Sequence, residues 1–285
     1  MQIGIFANGL RDVGFKVADK LVSVLESKGI EVKIHKQTEE NYIFPDNAAR
    51  TLKGCDVIMI LGGDGTVLSV AGFASDNNIP LLGVNTGHTG FLTEVEADGL
   101  EEAAAHLASG DYSVEERSTV SVDIGGKSYF ALNDVVLSKG ANTRPVDIKV
   151  DVDSQLLDRY FADGIIISTP TGSTAYSLSA GGPVLSPDIE GLIIIPICAH
   201  SLHSRPLVVS DKHTLYVSTE PHPKNTAVIV DGKTVCELSY KTEFFVKKSQ
   251  KTVKFIKING KSFYSKLLHK MNYWGVTDID SNDKE

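Results

Sequence analysis

An unbroken apolar run from Val57 to Leu61 leads directly into the glycine-rich sequence Gly62-Gly63-Asp64-Gly65-Thr66, and an apolar stretch with helical character, Val67 to Ala74, follows it. A strand without polar alternation is buried on both faces, which is typical of a parallel sheet covered by helices. The segment therefore predicts an α/β domain in which a glycine-rich turn connects a strand to a helix.

The surrounding residues repeat this alternation of strand and helix. Strand-like runs cover Gln2 to Ala7, Glu31 to His35 and Pro80 to Val84, and a helical stripe extends from Val13 to Leu25. We predict a doubly wound α/β domain with a parallel sheet over residues 1–114.

Beyond this point the pattern changes to short β-branched runs separated by turns, and helical stripes nearly vanish. Gly125-Gly126 and Asp231-Gly232 are hairpin signals. We predict an all-β second domain over residues 115–262, built as a sandwich or as stacked sheets. Residues 263–285 are predicted to return to the first domain and to end in a frayed polar tail.

Composition excludes several classes of protein. The 285-residue chain has a net charge of −8 and contains three cysteines, Cys55, Cys198 and Cys236. The acidic excess removes the usual electrostatic footprint of nucleic-acid binding. The odd, widely spaced cysteines encode neither a disulfide framework nor a cysteine zinc site. Because the sequence also lacks a signal-peptide pattern and an apolar run of roughly 18 residues, we expect a cytoplasmic protein that binds neither nucleic acid nor membrane.

One stretch departs from the acidic average. Lysines dominate between Lys241 and Lys270, where Glu243 is the single acidic residue. A basic face could bind phosphates, but the alternation from Lys254 to Ile258 favours lysines on the solvated side of an edge strand, where they deter aggregation. We adopt the second interpretation.

Three polar features each have a structural and a functional interpretation. Asp64 is either a helix cap or a group that handles a cation or a hydroxyl proton beside a phosphate. The hydroxyl- and glycine-rich segment Asp163 to Pro183 is either satisfied within its own turns or contacts a polar ligand. Asn133-Asp134 lies amid a strand pattern, where such a pair is most often a bulge or a turn.

The polar motifs occur in a recognisable order along nearly the whole chain. They are Gly62 to Thr66, Asn85 to Leu92, Asn133-Asp134, Asp163 to Pro183, Pro196 to Leu202 with Arg205-Pro206, and Asp231-Gly232-Lys233. This order resembles that of the bacterial-type NAD kinases. The glycine motif alone is shared with diacylglycerol, sphingosine and phosphofructo-kinases, whereas the threonine- and serine-rich segment is close to diagnostic.

The resemblance implies an activity and its reactants. The family phosphorylates the 2′-hydroxyl of the adenosine ribose of NAD to give NADP, using ATP or another phosphate donor and a divalent metal, here expected to be Mg²⁺. NAD and ATP are thus the implied small-molecule partners. Because the family often builds its substrate site across a subunit contact, a homo-oligomer, either a dimer or a tetramer, is also implied.

The resemblance further implies roles for individual residues. Asp64 would be the base at the ribose hydroxyl, and the phosphate-donor loop would consist of Gly62, Gly63, Gly65 and Thr66. The implied substrate-binding residues are Gly65, Phe91, Asn133, Asp134, Arg144, Phe161, Asp163, Thr174, Ala175, Tyr176, Ser179 and Lys233. No residue is assigned as a metal ligand.

The resemblance also implies which part of the dinucleotide each of these residues contacts. Asn133 and Asp134 would hold adenine and ribose, Phe91 and Tyr176 would pack against the adenosine, and Asp163 would reach the nicotinamide side. Thr174, Ala175 and Ser179 would line the site.

The chain departs from the family pattern at a few positions. Asp134 stands where the family usually has Glu, Lys233 where Gln is frequent, and Thr89 where Leu is common. Phe161-Ala162 precede Asp163 where many members carry a basic or polar residue. The shorter Asp134 carboxylate would need a backbone shift or a water molecule to reach the ribose.

Three other functions compete with this interpretation. A lipid or sugar kinase would share the glycine loop, and a non-catalytic NAD sensor would need no acid at Asp64. A dehydrogenase would need G-x-G-x-x-G after the first strand, where this chain has Ala7 to Asp12.

The histidines could also form a metal site on His200 and His203, completed by His213 or Cys198. The spacing of these residues does not match that of known metal ligands, which favours structural histidines.

Overall fold

The computed structural model describes residues 1–38, 44–87, 90–201, 203–258 and 262–276. The chain divides into two compact units, one formed by Met1–Glu116 together with Lys254–Glu285 and the other by Arg117–Val253. The predicted frayed tail beyond residue 276 and the position of Thr89 lie outside the described residues.

The elements follow in chain order. The first stretch contains β1 Gln2–Asn8, α1 Lys16–Ser27, β2 Glu31–Gln37, α2 Asp46–Leu52, β3 Val57–Gly62, α3 Asp64–Asp76, β4 Leu81–Asn85, β5 Thr93–Glu96, α4 Leu100–Ser109 and β6 Ser113–Arg117. The second unit contains β7 Val120–Ile124, β8 Lys127–Ala131, β9 Asp134–Ser138, β10 Val146–Val152, β11 Gln155–Ala162, β12 Gly164–Ser168, α5 Tyr176–Ser179, β13 Gly191–Ile197, β14 Leu207–Ser210, β15 Leu215–Thr219, β16 His222–Val230, β17 Lys233–Tyr240 and β18 Glu243–Lys248. The chain then forms β19 Val253–Lys257 and α6 Phe263–Val276.

A seven-stranded sheet organises the first unit. Its strand order is β2-β1-β3-β4-β19-β6, and β5 pairs with β4. The pairs β1–β2, β1–β3, β3–β4, β4–β5 and β4–β19 are all parallel. Every residue of β3 is buried, as its unbroken apolar sequence predicts. The carboxyl end of β3 therefore holds the glycine-rich turn in a rigid setting.

Two predictions about the first unit are wrong. The strand Val253–Lys257 is not an edge strand of the second domain but lies between β4 and β6 in the first sheet. The second unit therefore ends at Val253 rather than at residue 262. The helical stripe from Val13 also begins too early, because left-handed backbone at Gly14 (φ 71°) and Phe15 (φ 56°) delays the start of α1 to Lys16.

Two six-stranded antiparallel sheets form the second unit. Their strand orders are β11-β10-β15-β18-β7-β8 and β14-β13-β12-β9-β16-β17. Apolar side chains from both sheets meet in one core, which includes Val122 and Ile148 of the first sheet and Leu137 and Ile165 of the second. The prediction of a sandwich is thus confirmed.

Both predicted hairpin turns are present. Gly125-Gly126 joins β7 to β8 and Asp231-Gly232 joins β16 to β17, each with left-handed backbone at both positions. The α/β first domain and the all-β second domain are confirmed. Within the described part of the chain, no helix combines the length and apolarity needed to cross a membrane.

Candidate active site

The glycine-rich turn between β3 and α3 is shaped by a close approach. A Cβ atom at Gly62 would lie 2.4 Å from Thr66 Oγ1, so only glycine fits there. Thr66 is buried, and its hydroxyl accepts a hydrogen bond from the Asn8 side chain at 3.0 Å. Gly63, the N-cap residue of α3, offers no side-chain cap. The turn thus presents a helix N-terminus whose backbone N–H groups suit an anion.

Asp64 is the first residue of α3, and its carboxylate is held by the loop that follows β4. Oδ2 accepts the Phe91 N–H at 2.9 Å, and Oδ1 accepts the Leu92 N–H at 3.0 Å. Each oxygen keeps a second lone pair for another partner. Because both contacts are to residues far along the chain, Asp64 is not a cap of α3, and the helix-cap interpretation is wrong.

The loop that holds Asp64 packs closely against it. A Cβ atom at Gly90 would lie 2.0 Å from Asp64 Oδ1, which leaves no room for any other residue. The Phe91 ring packs against Phe263 of α6, with centroids 6.4 Å apart, and beneath the Lys270 amine, 4.3 Å from the ring centroid. Asn8 and Lys270 were missed by the sequence analysis, since both lie far along the chain from the glycine motif.

In the second unit, Asn133 directly precedes β9, and Asp134 begins that strand beside the end of β12, where it pairs with Ser168. The Asn133 carbonyl accepts the Thr169 N–H at 2.9 Å, and a Cβ atom at Gly172 would lie 2.1 Å from that same oxygen. Asn133 is 8% exposed and Asp134 5% exposed. Asn133 Oδ1 is buried and has no hydrogen-bond partner among the described residues. A buried, unpaired amide oxygen fits a ligand that donates to it.

Several buried hydroxyls of the segment Asp163 to Pro183 have partners within the protein. Thr169 Oγ1 donates to the Leu132 carbonyl at 2.6 Å, and the Ser173 hydroxyl donates to the Pro170 carbonyl at 2.6 Å and accepts the Leu185 N–H at 3.0 Å. The first of the two interpretations therefore holds for Ser173, whereas Thr169 donates outside the segment and the buried Ser177 hydroxyl has no partner among the described residues. Other residues of the segment are accessible, among them Thr174, which is half-buried, and Tyr176, which is 46% exposed.

Asp231 organises the start of β9 from across the sheet. Its carboxylate accepts the backbone N–H groups of Leu132, Asn133 and Asp134 at 2.8, 2.7 and 3.1 Å. Burial, together with the charge of Asp231, raises the pKa of Asp134 to about 7. The sequence identified Asp231 as a turn residue and as part of a family motif, but nothing local indicates where its side chain reaches.

Other predicted residues lie around the same sheet. Asp163 accepts a 2.8 Å hydrogen bond from Lys139, a partner that the sequence analysis missed. Phe161 is 50% exposed, and its ring meets the edge of the His200 ring at 5.5 Å. Burial lowers the pKa of Lys233, and the charge of Asp231 partly offsets that effect.

The remaining predicted positions are accessible. Arg144 and Ser179 are exposed, and Ala175 is half-buried. Of the histidines weighed as metal ligands, His213 instead binds Asp153, with Nδ1 2.6 Å from Oδ2.

A glycine turn at a helix N-terminus, next to a carboxylate fixed by backbone N–H groups, suits an enzyme that transfers a phosphoryl group to a hydroxyl. Residues 3–112 match the ATP-NAD kinase N-terminal domain, and residues 132–258 match the ATP-NAD kinase C-terminal domain. The chain belongs to the ATP-NAD kinase family. The resemblance drawn from the motifs is confirmed.

Relatives of known sequence match over nearly their full lengths. The NAD kinase of Methanothermobacter thermautotrophicus is 36% identical over 281 residues, which cover 98% of this chain and 99% of that protein. The NAD kinase of Caldanaerobacter subterraneus is 34% identical over 278 residues, with coverage of 95% and 98%.

Solved structures share the fold. An NAD kinase from Archaeoglobus fulgidus, determined in complex with ATP, superposes with a TM-score of 0.77 at 25% identity, covering 95% of this chain and 99% of that one. A yeast NADH kinase complexed with NADH gives a TM-score of 0.82 at 21% identity, covering 100% of this chain and 89% of that one.

Proposed function

We propose that this chain transfers the terminal phosphate of ATP to the 2′-hydroxyl of the adenosine ribose of NAD, forming NADP. The observation that carries the proposal is the carboxylate of Asp64, fixed by the Phe91 and Leu92 N–H groups beside the N-terminus of α3 in a chain of the NAD kinase family. A phosphate-binding loop alone has no use for an acid, whereas a hydroxyl acceptor requires a group that removes its proton.

In the proposed reaction, Asp64 takes the proton of the ribose hydroxyl as that oxygen attacks the terminal phosphorus. The two N–H contacts keep the carboxylate oriented, so little reorganisation is needed when the proton arrives. Backbone N–H groups at the turn, with the dipole of α3, stabilise the donor phosphates.

The dinucleotide contacts are proposed for the second unit. The unpaired Asn133 Oδ1 would accept a hydrogen bond from the exocyclic amine of adenine, and Asp134 would accept from the ribose hydroxyls. The exposed ring of Tyr176 would pack against the adenosine. Asp163, neutralised by Lys139, would lie on the nicotinamide side. The roles of Phe91, Arg144, Phe161, Thr174, Ala175, Ser179 and Lys233 toward the substrate stay predictions.

A divalent cation, Mg²⁺, is proposed to accompany ATP. The described residues contain no group of three or more His, Cys, Asp or Glu positioned for a metal. The Asp64 carboxylate would be the protein donor nearest a Mg²⁺ ion that is held chiefly by the phosphates of ATP. This fits Mg²⁺, which usually combines one or two carboxylates with substrate phosphates. When bound, it would shield the phosphate charge from the entering oxygen.

We further propose that the protein is cytoplasmic, that it forms a homo-oligomer, and that it takes part in NADP biosynthesis. Cys198 is an exposed free thiol, which suits a reducing compartment. Leu207 and Val208 are exposed on β14, an edge strand of its sheet, which supports contact with a second copy of the chain. Whether the assembly is a dimer or a tetramer is decided by sedimentation analysis.

The substrate class is tested with labelled ATP and a panel of acceptors. We expect phosphate to appear on NAD, or on NADH, and not on diacylglycerol, sphingosine or fructose 6-phosphate. Labelled lipid or hexose would support the rival kinases that share the glycine loop. Binding of NAD without any transfer would support the sensor.

Substitutions in the glycine turn separate folding from donor binding. A Cβ atom at Gly63 would meet no atom within 4 Å, whereas one at Gly62 would clash with Thr66. Gly63→Ala should therefore keep the wild-type melting temperature and raise KM for ATP about tenfold, since the methyl group holds the phosphates away from the backbone N–H groups. Gly62→Ala should lower the melting temperature. An unchanged KM for Gly63→Ala would place the phosphates elsewhere.

Asp134 is expected to make stability depend on pH. Its pKa is raised to about 7 in the folded chain, so the stability that its protonated form provides is present at low pH and is lost as pH rises through about 7. Asp134→Asn, which stays neutral, should exceed the wild type in unfolding free energy above pH 7, by about 1.4 kcal/mol for each unit of pKa shift, and the difference should shrink toward pH 4.

Asp153→Asn is the matched control for this titration. The Thr214 N–H and His213 lower the pKa of Asp153, so its stabilising effect is present at neutral pH and is lost as pH falls. The two variants should therefore show opposite signs in urea denaturation at pH 7.5. If the unfolding free energies of Asp134→Asn and the wild type change in parallel with pH, the raised pKa of the buried Asp134 carboxyl is contradicted.

A further inference from the structure

One face of the C-terminal helix α6 lies against the loop that holds Asp64. Phe263, Lys266 and Lys270 follow a spacing of three and then four residues, which places them on the same side of a helix. Phe263 contacts the Phe91 ring, and Lys270 lies over that same ring. The helix therefore covers the residues next to the glycine-rich turn.

A buried ionic cluster fixes this position of α6. Lys266 donates to the Thr93 carbonyl at 2.8 Å and to Glu94 Oε2 at 2.6 Å. Lys257 of β19 binds the same Glu94 oxygen. Glu94 is buried, so the contact is shielded from water and salt. Because Glu94 follows Leu92 closely in the chain, the cluster sets α6 directly beside the Asp64 loop.

Lys270 occupies an unusual position within that arrangement. Its amine is 4.3 Å from the centroid of the Phe91 ring, and the backbone N–H of Phe91 donates to Asp64. Among the described residues, the amine forms no ion pair. Burial lowers the pKa of Lys270, and the charge of Asp64 opposes that effect. The amine is thus a poorly hydrated cation close to the base.

The glycine turn itself supplies an acid and no cation. Gly62 to Thr66 contains Asp64 but no lysine or arginine, unlike a Walker-type loop. Transfer of a phosphoryl group needs positive charge at its peripheral oxygens, where charge accumulates in the transition state. Besides the Mg²⁺ that would accompany ATP, any side-chain cation near Asp64 has to come from another part of the chain.

We propose that Lys270 is a catalytic residue that binds the terminal phosphate of ATP during its transfer. The inference rests on the proposed function. As the bond between the terminal phosphorus and the bridging oxygen of ADP breaks, a bond forms between that phosphorus and the ribose 2′-oxygen, whose proton passes to Asp64. The ammonium group makes no covalent bond and donates hydrogen bonds to the phosphoryl oxygens. The Phe91 ring holds the amine in place through a cation–π contact.

The test compares Lys270→Met with Lys270→Arg in the full chain. Methionine keeps the length and the apolar packing on Phe91 but removes the charge, whereas arginine keeps the charge. We expect Lys270→Met to lower kcat roughly 10²-fold, as for loss of one donor to a developing charge, with an unchanged melting temperature and NAD affinity. Lys270→Arg should recover a large part of this loss. The matched control is Lys20→Met, which removes an exposed lysine from α1 in the same unit.

A second measurement excludes a merely structural role. If Lys270 binds the terminal phosphate, the wild type binds ATP more tightly than ADP, and Lys270→Met loses this preference, which calorimetry measures directly. Wild-type kcat in Lys270→Met, or an unchanged preference for ATP, would overturn the proposal. The wild type is assayed alongside, so a protein that forms no NADP at all contradicts the proposed function instead.

Discussion

Replacing Asp64 with asparagine is expected to lower kcat for NADP formation by roughly 10²–10⁴-fold, the size of a general-base contribution. The amide cannot take up the proton of the ribose hydroxyl. The structure adds a second effect, because the NH₂ group of asparagine would face the N–H of either Phe91 or Leu92. One loop hydrogen bond is then lost, at a cost of about 1–3 kcal/mol. The affinity for NAD should change little in calorimetry.

Asp12 provides a matched control for the structural part of that effect. Its carboxylate also accepts one backbone N–H on each oxygen, from Val17 at 3.0 Å and from Ala18 at 2.8 Å. Asp12→Asn should therefore lose a comparable amount of stability in thermal melts while keeping the wild-type kcat. If both variants retain turnover, Asp64 is a loop anchor and not the base.

Gly90→Ala is expected to reduce kcat by roughly 10²-fold, since a displacement of about 1 Å in a catalytic group has consequences of this size. The added Cβ would lie 2.0 Å from Asp64 Oδ1 and 2.7 Å from its Cγ. The carboxylate must move, and its contacts with Phe91 and Leu92 cannot both persist.

Gly87→Ala in the same loop is the control, because a Cβ atom there meets nothing within 4 Å. Steady-state kinetics and thermal melts on both variants make the comparison. A Gly90→Ala enzyme as active as Gly87→Ala would show that the position of the Asp64 carboxylate does not limit catalysis.

The parts of the fold that the sequence predicts are those that local rules determine. The buried strand β3 followed by its glycine turn could be predicted because an apolar run of that length has no solvated face. The hairpin at Asp231-Gly232 could be predicted because both positions adopt left-handed backbone, which these two residues tolerate.

The partners of individual side chains could not be predicted in the same way. Asp231 reaches the start of β9 only because β9 and β16 pair with Val135 opposite Val230, which brings together residues 98 positions apart. The lysine-rich strand Val253–Lys257 has an edge-like pattern, yet its sequence does not specify the sheet in which it pairs. Lys257 and Lys266 are clustered for a structural reason, the shared contact with Glu94.

The hydroxyl-rich segment shows how composition alone can mislead about a ligand. Thr169 and Ser173 are buried and donate to backbone carbonyls of the protein, so they shape the backbone around Asn133 rather than face a substrate. The signal for a ligand is instead the buried amide oxygen of Asn133, which has no partner in the described part of the chain. Such a signal depends on packing and is invisible in the sequence.

The central claim is tested most directly by incubating the purified chain with NAD, ATP and Mg²⁺ and measuring NADP with an NADP-specific dehydrogenase. The account predicts that NADP accumulates in step with ADP, and that the Asp64→Asn protein forms little of it. Release of ADP without NADP, or the absence of both products from a folded protein that binds NAD, would contradict the account.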